Sequence, residues 1–229
     1  ELRNLFDPML STVLDELLPA GDLFFDSLRP LESNRLWKLL LGLRDLELQR
    51  PGFSVATELE RQVSIGPLAL NVRLDRLDKL ADGGELVIDY KTGDFKPSGW
   101  KQARLLESQL PLYAVTSGES AVNPVRGIAV IQVRVPDAKL RGVGDESLRI
   151  DGVSSPPEFF RTENLDWTGV LARWHAQLER LATEFAAGDF RVNPADRKWA
   201  VEQFAGLTRI HEFLPPDDDA GDAPEGADE

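Results

Sequence analysis

Leu74-Asp75-Arg76-Leu77-Asp78, followed by Val87-Ile88-Asp89-Tyr90-Lys91-Thr92-Gly93, reads as two adjacent strands that bring two carboxylates and a lysine to one face. In the second strand a side-chain period of two sends Leu86, Ile88 and Tyr90 one way and Val87, Asp89 and Lys91 the other. In the first, Leu70, Val72 and Leu74 are expected to face the core and Asp75 to face away from it. The turn Asp82-Gly83-Gly84 joins the two strands. A three-residue loop centred near Asp82 sets Asp75 opposite Asp89, whereas a strict two-residue turn puts them on opposite faces. Carboxylates about 5 Å apart repel each other. A divalent cation between them removes the repulsion, and Mg²⁺ is commonly held by one or two carboxylates plus substrate phosphates. Lys91, two residues beyond Asp89 on the same face, can reach the anion that such a metal binds. The plain alternative is a solvated, charged sheet face. Strands disfavour Asp, however, so Asp-x-Lys beside a second strand Asp reads as a constellation.

The whole chain narrows the classes. Its 229 residues suit one domain with extensions and are enough to bury a core. Hydrophobic residues at 42% and charged residues at 28% match a globular composition. The sequence contains no cysteine, which excludes disulfides, thiolate zinc sites, an iron–sulfur cluster and a cysteine nucleophile. That fits a cytoplasmic location. No apolar run approaches the ~20 residues needed to span a bilayer, so no membrane partner is expected. The chain starts at Glu1 and reads as a piece of a longer protein. Net charge is −13, which opposes tight autonomous binding to DNA. Seven acids and no base lie in residues 215–229, and without those seven the charge is −6.

Three parts are expected: a helical N-terminal part over 1–50, a catalytic-type domain over 51–214 and a disordered acidic tail over 215–229. Pro8 to Leu18 reads as a short helix, and Ser33 as the N-cap of a second that ends before Pro51. Phe53 to Ile65 alternates as a half-buried strand. Trp100 to Thr116 reads as a helix bent at Pro111. Arg126 to Val135 is the next strand, and 136–160 reads as a long loop. Asp166 caps an amphipathic helix with Trp167, Leu171, Trp174, Leu178, Leu181 and Phe185 on one side, closed by Gly188. The class is α/β, a mixed β-sheet flanked by helices.

Gln109 and Tyr113, four apart, share one side of the helix after the Lys91 strand. On their own they would be a surface Gln and a half-buried Tyr. Two histidines, His175 and His211, with no partner nearby make a histidine zinc site improbable.

Together, Asp75-Arg76-Leu77-Asp78, Ile88-Asp89-Tyr90-Lys91-Thr92-Gly93 and Gln109-Leu110-Pro111-Leu112-Tyr113 resemble the PD-(D/E)xK nuclease superfamily, in particular the RecB/AddB-like C-terminal nuclease module of bacterial repair and recombination proteins. The resemblance covers Phe53 to Val135 well and continues more weakly through the Trp167 helix to Phe190. It implies a restriction-endonuclease-like core and a metal-dependent DNA nuclease acting in DNA repair or recombination, with DNA and a helicase subunit or domain as partners. It implies Asp75 and Asp89 as ligands of Mg²⁺ or Mn²⁺, with the Tyr90 backbone carbonyl as a further ligand. Lys91 would position the attacking water and stabilise the phosphate, and Gln109 and Tyr113 would steady the site and the DNA backbone. Two departures stand out. No histidine precedes His175, so either the helix that carries the family's upstream histidine lies outside this piece of the protein, or its role falls to Glu47, Glu58 or Glu60. Trp199, Glu202 and Thr208 occupy the region where many members carry cluster cysteines. A nuclease-like scaffold that no longer cuts, and binds DNA or a partner, is the alternative.

Overall fold

The computed structural model describes residues 2–18, 21–81, 83–117, 123–134 and 137–189. The expectations for the acidic tail, for Trp199, Glu202, Thr208 and for His211 lie outside the described residues. The chain forms two units, Glu1–Thr183 and Glu184–Glu229. Within the second, the described residues are 184–189, the end of the last helix and its closing Gly188 at φ 69°.

The first unit is built on one six-stranded mixed sheet, in spatial order β1 to β6. The strands are β1 (Phe53–Ile65), β2 (Leu68–Leu80), β3 (Glu85–Lys91), β4 (Val125–Gln132), β5 (Lys139–Gly144) and β6 (Val153–Ser154). β3 and β4 pair in parallel through a crossover that contains a 3₁₀ turn (Pro97–Lys101) and helix α3 (Gln109–Ser117). Val87, Leu86 and Ile88 of β3 are fully buried, because this central strand is covered on both faces. On one face Val87, Ile128 and Val130 pack with Trp100, Tyr113, Trp167 and Trp174. On the other, Leu86, Ile88, Ala129 and Ile131 pack with Leu140 and, from a helix before the sheet, Leu43 and Leu46. The α/β class and mixed sheet with flanking helices are therefore as expected, and are consistent with a restriction-endonuclease-like core.

The helices differ from the expected ones in their ends. The first two are α1 (Leu2–Leu17), which contains Pro8, and α2 (Leu23–Leu48), which contains Pro30. Asp22 caps α2 by accepting from the Phe24 N–H at 2.8 Å, so Ser33 is interior and not a cap. No α2 residue is fully buried, which is why apolar spacing gave a poor guide to its start. The expected helix from Trp100 begins only at Gln109. Pro111 sits in the first turn of α3, where its missing N–H is not needed.

The expected long loop at 136–160 holds β5, β6 and a short helix α4 (Pro156–Phe160). Gly142 and Gly144 are strand residues. A Cβ at Gly142 would run into the Ile128 carbonyl oxygen and lie 2.8 Å from the Ala129 Cβ, so glycine here marks close strand approach and not a turn. The last helix, α5 (Trp167–Ala186), is capped at Asp166, whose carboxylate accepts from Gly169 N–H at 2.7 Å. Trp167, Val170, Trp174, Leu178 and Ala182 form its buried face, and both buried indole N–H groups are satisfied by the Val125 and Trp100 carbonyls. No described helix is long and apolar enough to cross a membrane.

Candidate active site

The β2–β3 turn has the three-residue form. Leu80 N–H bonds to Gly84 O at 2.8 Å, Gly83 takes φ 87°, and the ladder runs from Lys79↔Glu85 to Arg76↔Ile88. In this register the next pair is Asp75 with Asp89. The ladder stops there. In a regular continuation the Tyr90 N–H would serve Leu74, but it donates to Asp75 Oδ2 at 3.3 Å. N–H and C=O of one extended residue share an edge of the strand, so the Tyr90 carbonyl also points towards β2.

Asp75 does not face away from the core. Leu74 and Leu77 are both 1% exposed and belong to the same core, although they are three positions apart. Strict alternation forbids that. The strands switch face at this point, where Glu58, between the Thr57↔Arg76 and Leu59↔Leu74 pairs, takes φ 54°, a left-handed conformation rare for a glutamate. The switch turns Asp75 to the side of Leu77 and Val87, which is also the side of Asp89 and Lys91. The burial pattern of β2 changes here from alternation to a continuous run.

Asp89 is 4% exposed. Its Oδ2 lies 3.0 Å from Lys91 Nζ as an ion pair and has no other donor. Burial pushes the Asp89 carboxyl above the usual range; Lys91 counters, and the adjoining Asp75 adds to the rise by charge and by a side-chain hydrogen bond. Burial works against the charge of Lys91, but Asp89, and then Glu107 and Asp75, outweigh it and hold the ammonium above its ordinary value. Two adjoining carboxylates, one of them buried, are a donor set for a hard divalent cation, and the Tyr90 carbonyl lies on the right edge to join them. Among the described residues no three His, Asp or Glu side chains converge as a metal cluster.

Asp89, Lys91, Glu107 and Gln109 line one recess, floored by Phe95, Trp100 and Val130. Gln109, at the first turn of α3, is exposed there. Glu107 was not singled out from the sequence; only the fold of the 102–108 segment brings it to Lys91. Tyr113 is buried, and its hydroxyl is committed: it accepts from Gln109 Nε2 at 3.3 Å and donates to the Arg73 carbonyl at 2.7 Å. It holds β2 in place beside Asp75 and is not presented to a ligand. Gln132 of β4, 5% exposed, donates to Gly93 O at 2.6 Å and fixes the backbone just past Lys91.

The three glutamates considered as a further ligand go elsewhere. Glu58 ion-pairs with Arg73. Glu60 lies opposite Arg73 in the β1–β2 hairpin, in a groove with Arg61 and Asn71. Glu47 of α2 binds Arg76 and Arg50 on the other face of the sheet. Arg76 and Asp78, which share the first motif with Asp75, belong to that opposite-face network too. A larger hollow of about 790 Å³ also lies on that side, between α2 and β5, with Lys38, Asp45, Lys139 and Arg141 in mixed charge.

Residues 3–198 match the family model of the PD-(D/E)XK nuclease superfamily, and the chain belongs to that superfamily. Its members are generally nucleases, which points to metal-dependent phosphodiester chemistry. No curated protein matches the chain. Among solved structures, the crystal structure of SSO0001 is similar at 15% identity over 67% of this chain and 59% of that one, with a TM-score of 0.34. The chain thus covers less than two thirds of that structure.

Proposed function

We propose that this protein is a Mg²⁺- or Mn²⁺-dependent deoxyribonuclease of the RecB/AddB-like type, hydrolysing phosphodiester bonds in DNA repair or recombination in the cytoplasm, alongside a helicase subunit or domain. The observation that carries this is the Asp89 carboxylate: buried, next to Asp75, with its Oδ2 paired only to Lys91 Nζ at 3.0 Å. Asp75, Asp89 and the Tyr90 carbonyl would hold the metal. When bound, the metal polarises the scissile phosphate and lowers the pKa of a water. Lys91 stays protonated, orients the attacking water and places positive charge where the phosphate gains negative charge. Gln109, at the mouth of the recess, is placed to contact the DNA backbone. Tyr113 contributes by holding β2. The domain boundaries fall at 51 and 214, with the helical part before and the acidic tail after.

The test is cleavage of single- and double-stranded DNA with Mg²⁺ or Mn²⁺ against an EDTA control. Metal-dependent cleavage that Lys91→Ala abolishes is the expected result. A metal-binding protein that cuts neither substrate, alone or in a longer form of the chain, supports the second reading, a scaffold that binds DNA or a partner. The absence of a third acidic or histidine ligand among the described residues, together with the net charge of −13, is what favours that second reading.

A further inference from the structure

On the sheet face opposite Asp89, the Arg76 guanidinium is almost completely buried and bonded on several sides. Nη1 donates to Glu47 Oε1 at 2.7 Å and to the Tyr90 hydroxyl at 2.8 Å. Nη2 donates to Glu47 Oε2 at 3.1 Å and to Asp78 Oδ2 at 3.0 Å, and Nε donates to Asp78 Oδ1 at 2.6 Å. Arg76 follows Asp75 in β2, and Tyr90 follows Asp89 in β3. The Tyr90 N–H donates back to the Asp75 carboxylate. A ring therefore closes through both strands: Asp75, the neighbouring guanidinium, the Tyr90 side chain, and the Tyr90 N–H to Asp75. Glu47, near the end of α2, grips the guanidinium in this ring.

We propose that Arg76 and Glu47 are positioning residues for the metal site: by pinning Tyr90 from the far face of the sheet they hold Asp75 against Asp89, and they tie that placement to the seating of α2. The inference rests on the nuclease reading for the metal, whereas the ring is a property of the fold. Buried ion pairs seldom add net stability over apolar replacements, but a planar guanidinium bonded on several edges fixes geometry.

The test compares parent, Tyr90→Phe and Glu47→Gln by amide hydrogen exchange without metal, and by Mn²⁺ calorimetry. Tyr90→Phe keeps every charge and the backbone amide, and Glu47→Gln keeps the shape. The residue-90 amide is expected to exchange about tenfold faster in both, the scale of one charge-assisted hydrogen bond. The Ile88 amide, within the β2–β3 ladder, should hold. Mn²⁺ affinity should fall by a similar factor. Unchanged exchange at residue 90 overturns the proposal, and so does acceleration shared equally by residues 86–90, which marks general loosening. A parent that binds no Mn²⁺ sinks the nuclease reading, while the exchange data still decide whether the ring places Asp75.

Discussion

The Tyr113 hydroxyl donates a 2.7 Å hydrogen bond to the Arg73 carbonyl oxygen, two residues before Asp75. A side chain from α3 thereby fixes the strand that carries one candidate metal ligand, at the point where that strand switches face. Tyr113→Phe keeps the buried ring and loses only this bond and the one from Gln109. It should cost about 1–2 kcal/mol in urea unfolding, the usual net worth of one or two hydrogen bonds. Tyr113→Ala should cost ~3–5 kcal/mol, because a buried aromatic is removed. A Tyr113→Phe protein as stable as the parent would show that the bond does not hold β2.

Lys91→Ala should abolish cleavage and leave Mn²⁺ binding and the fold intact. The Lys91 side chain is 39% exposed and packs little of the core. Asp89→Ala should lose both binding and cleavage. Calorimetry, thermal melts and a nuclease assay on the same preparations separate the two roles. Cleavage by Lys91→Ala at the parent rate would remove Lys91 from the chemistry.

Asp89 gives the metal-free protein a pH signature. Its folded pKa is raised, chiefly by burial, so its protonated form favours the folded state. That contribution is fully present below the unfolded carboxylate value of about 3.9 and is lost as pH rises through the higher folded value. Asp145, held below the usual range by Ser147, contributes in the opposite sense, and a difference curve isolates Asp89. In EDTA, the melting temperature of Asp89→Asn minus that of the parent should grow as pH rises through this window. Saturating Mn²⁺ should stabilise the parent and not the variant. A flat difference curve would contradict the assignment.

Gly142→Ala should destabilise the fold by ~1–3 kcal/mol, the typical cost of forcing an extra carbon into a packed site. The added carbon meets the backbone of β4, which cannot rotate away. Gly93→Ala is the control, since a Cβ there meets nothing within 4 Å. Equal melting temperatures for the two variants would mean that β5 does not lie against β4 as described.

Several local features were legible from residue order because they depend on near neighbours. The two-residue period of Val87, Asp89 and Lys91, the three-residue turn before Gly84 and the Asp166 cap are all set within a few residues. The start of α2 was not legible because none of its residues is fully buried and only its last turns, with Leu43 and Leu46, pack on the sheet. β5 was not legible within 136–160 because the reason for its glycines, contact with β4, lies more than ten residues away along the chain.

By itself the sequence determined which chemistry is possible. It supplies two strand carboxylates with a lysine two residues on, no cysteine for a cluster and no apolar span, all of which are matters of residue type and spacing. Only the tertiary structure decided which of the acidic residues meet. Asp75 stands opposite Asp89 through the β2–β3 register, but it shares the core side with both Leu74 and Leu77 because the β1–β2 pair switches face near Glu58, a break in alternation that spacing does not reveal. Asp78 and Glu47 go to Arg76 on the far side, since a buried guanidinium must be surrounded by acceptors. Tyr113 turns inward to the Arg73 carbonyl because α3 lies against the hairpin. These assignments compare the energies of alternative long-range partners, and a chain settles them only when it packs.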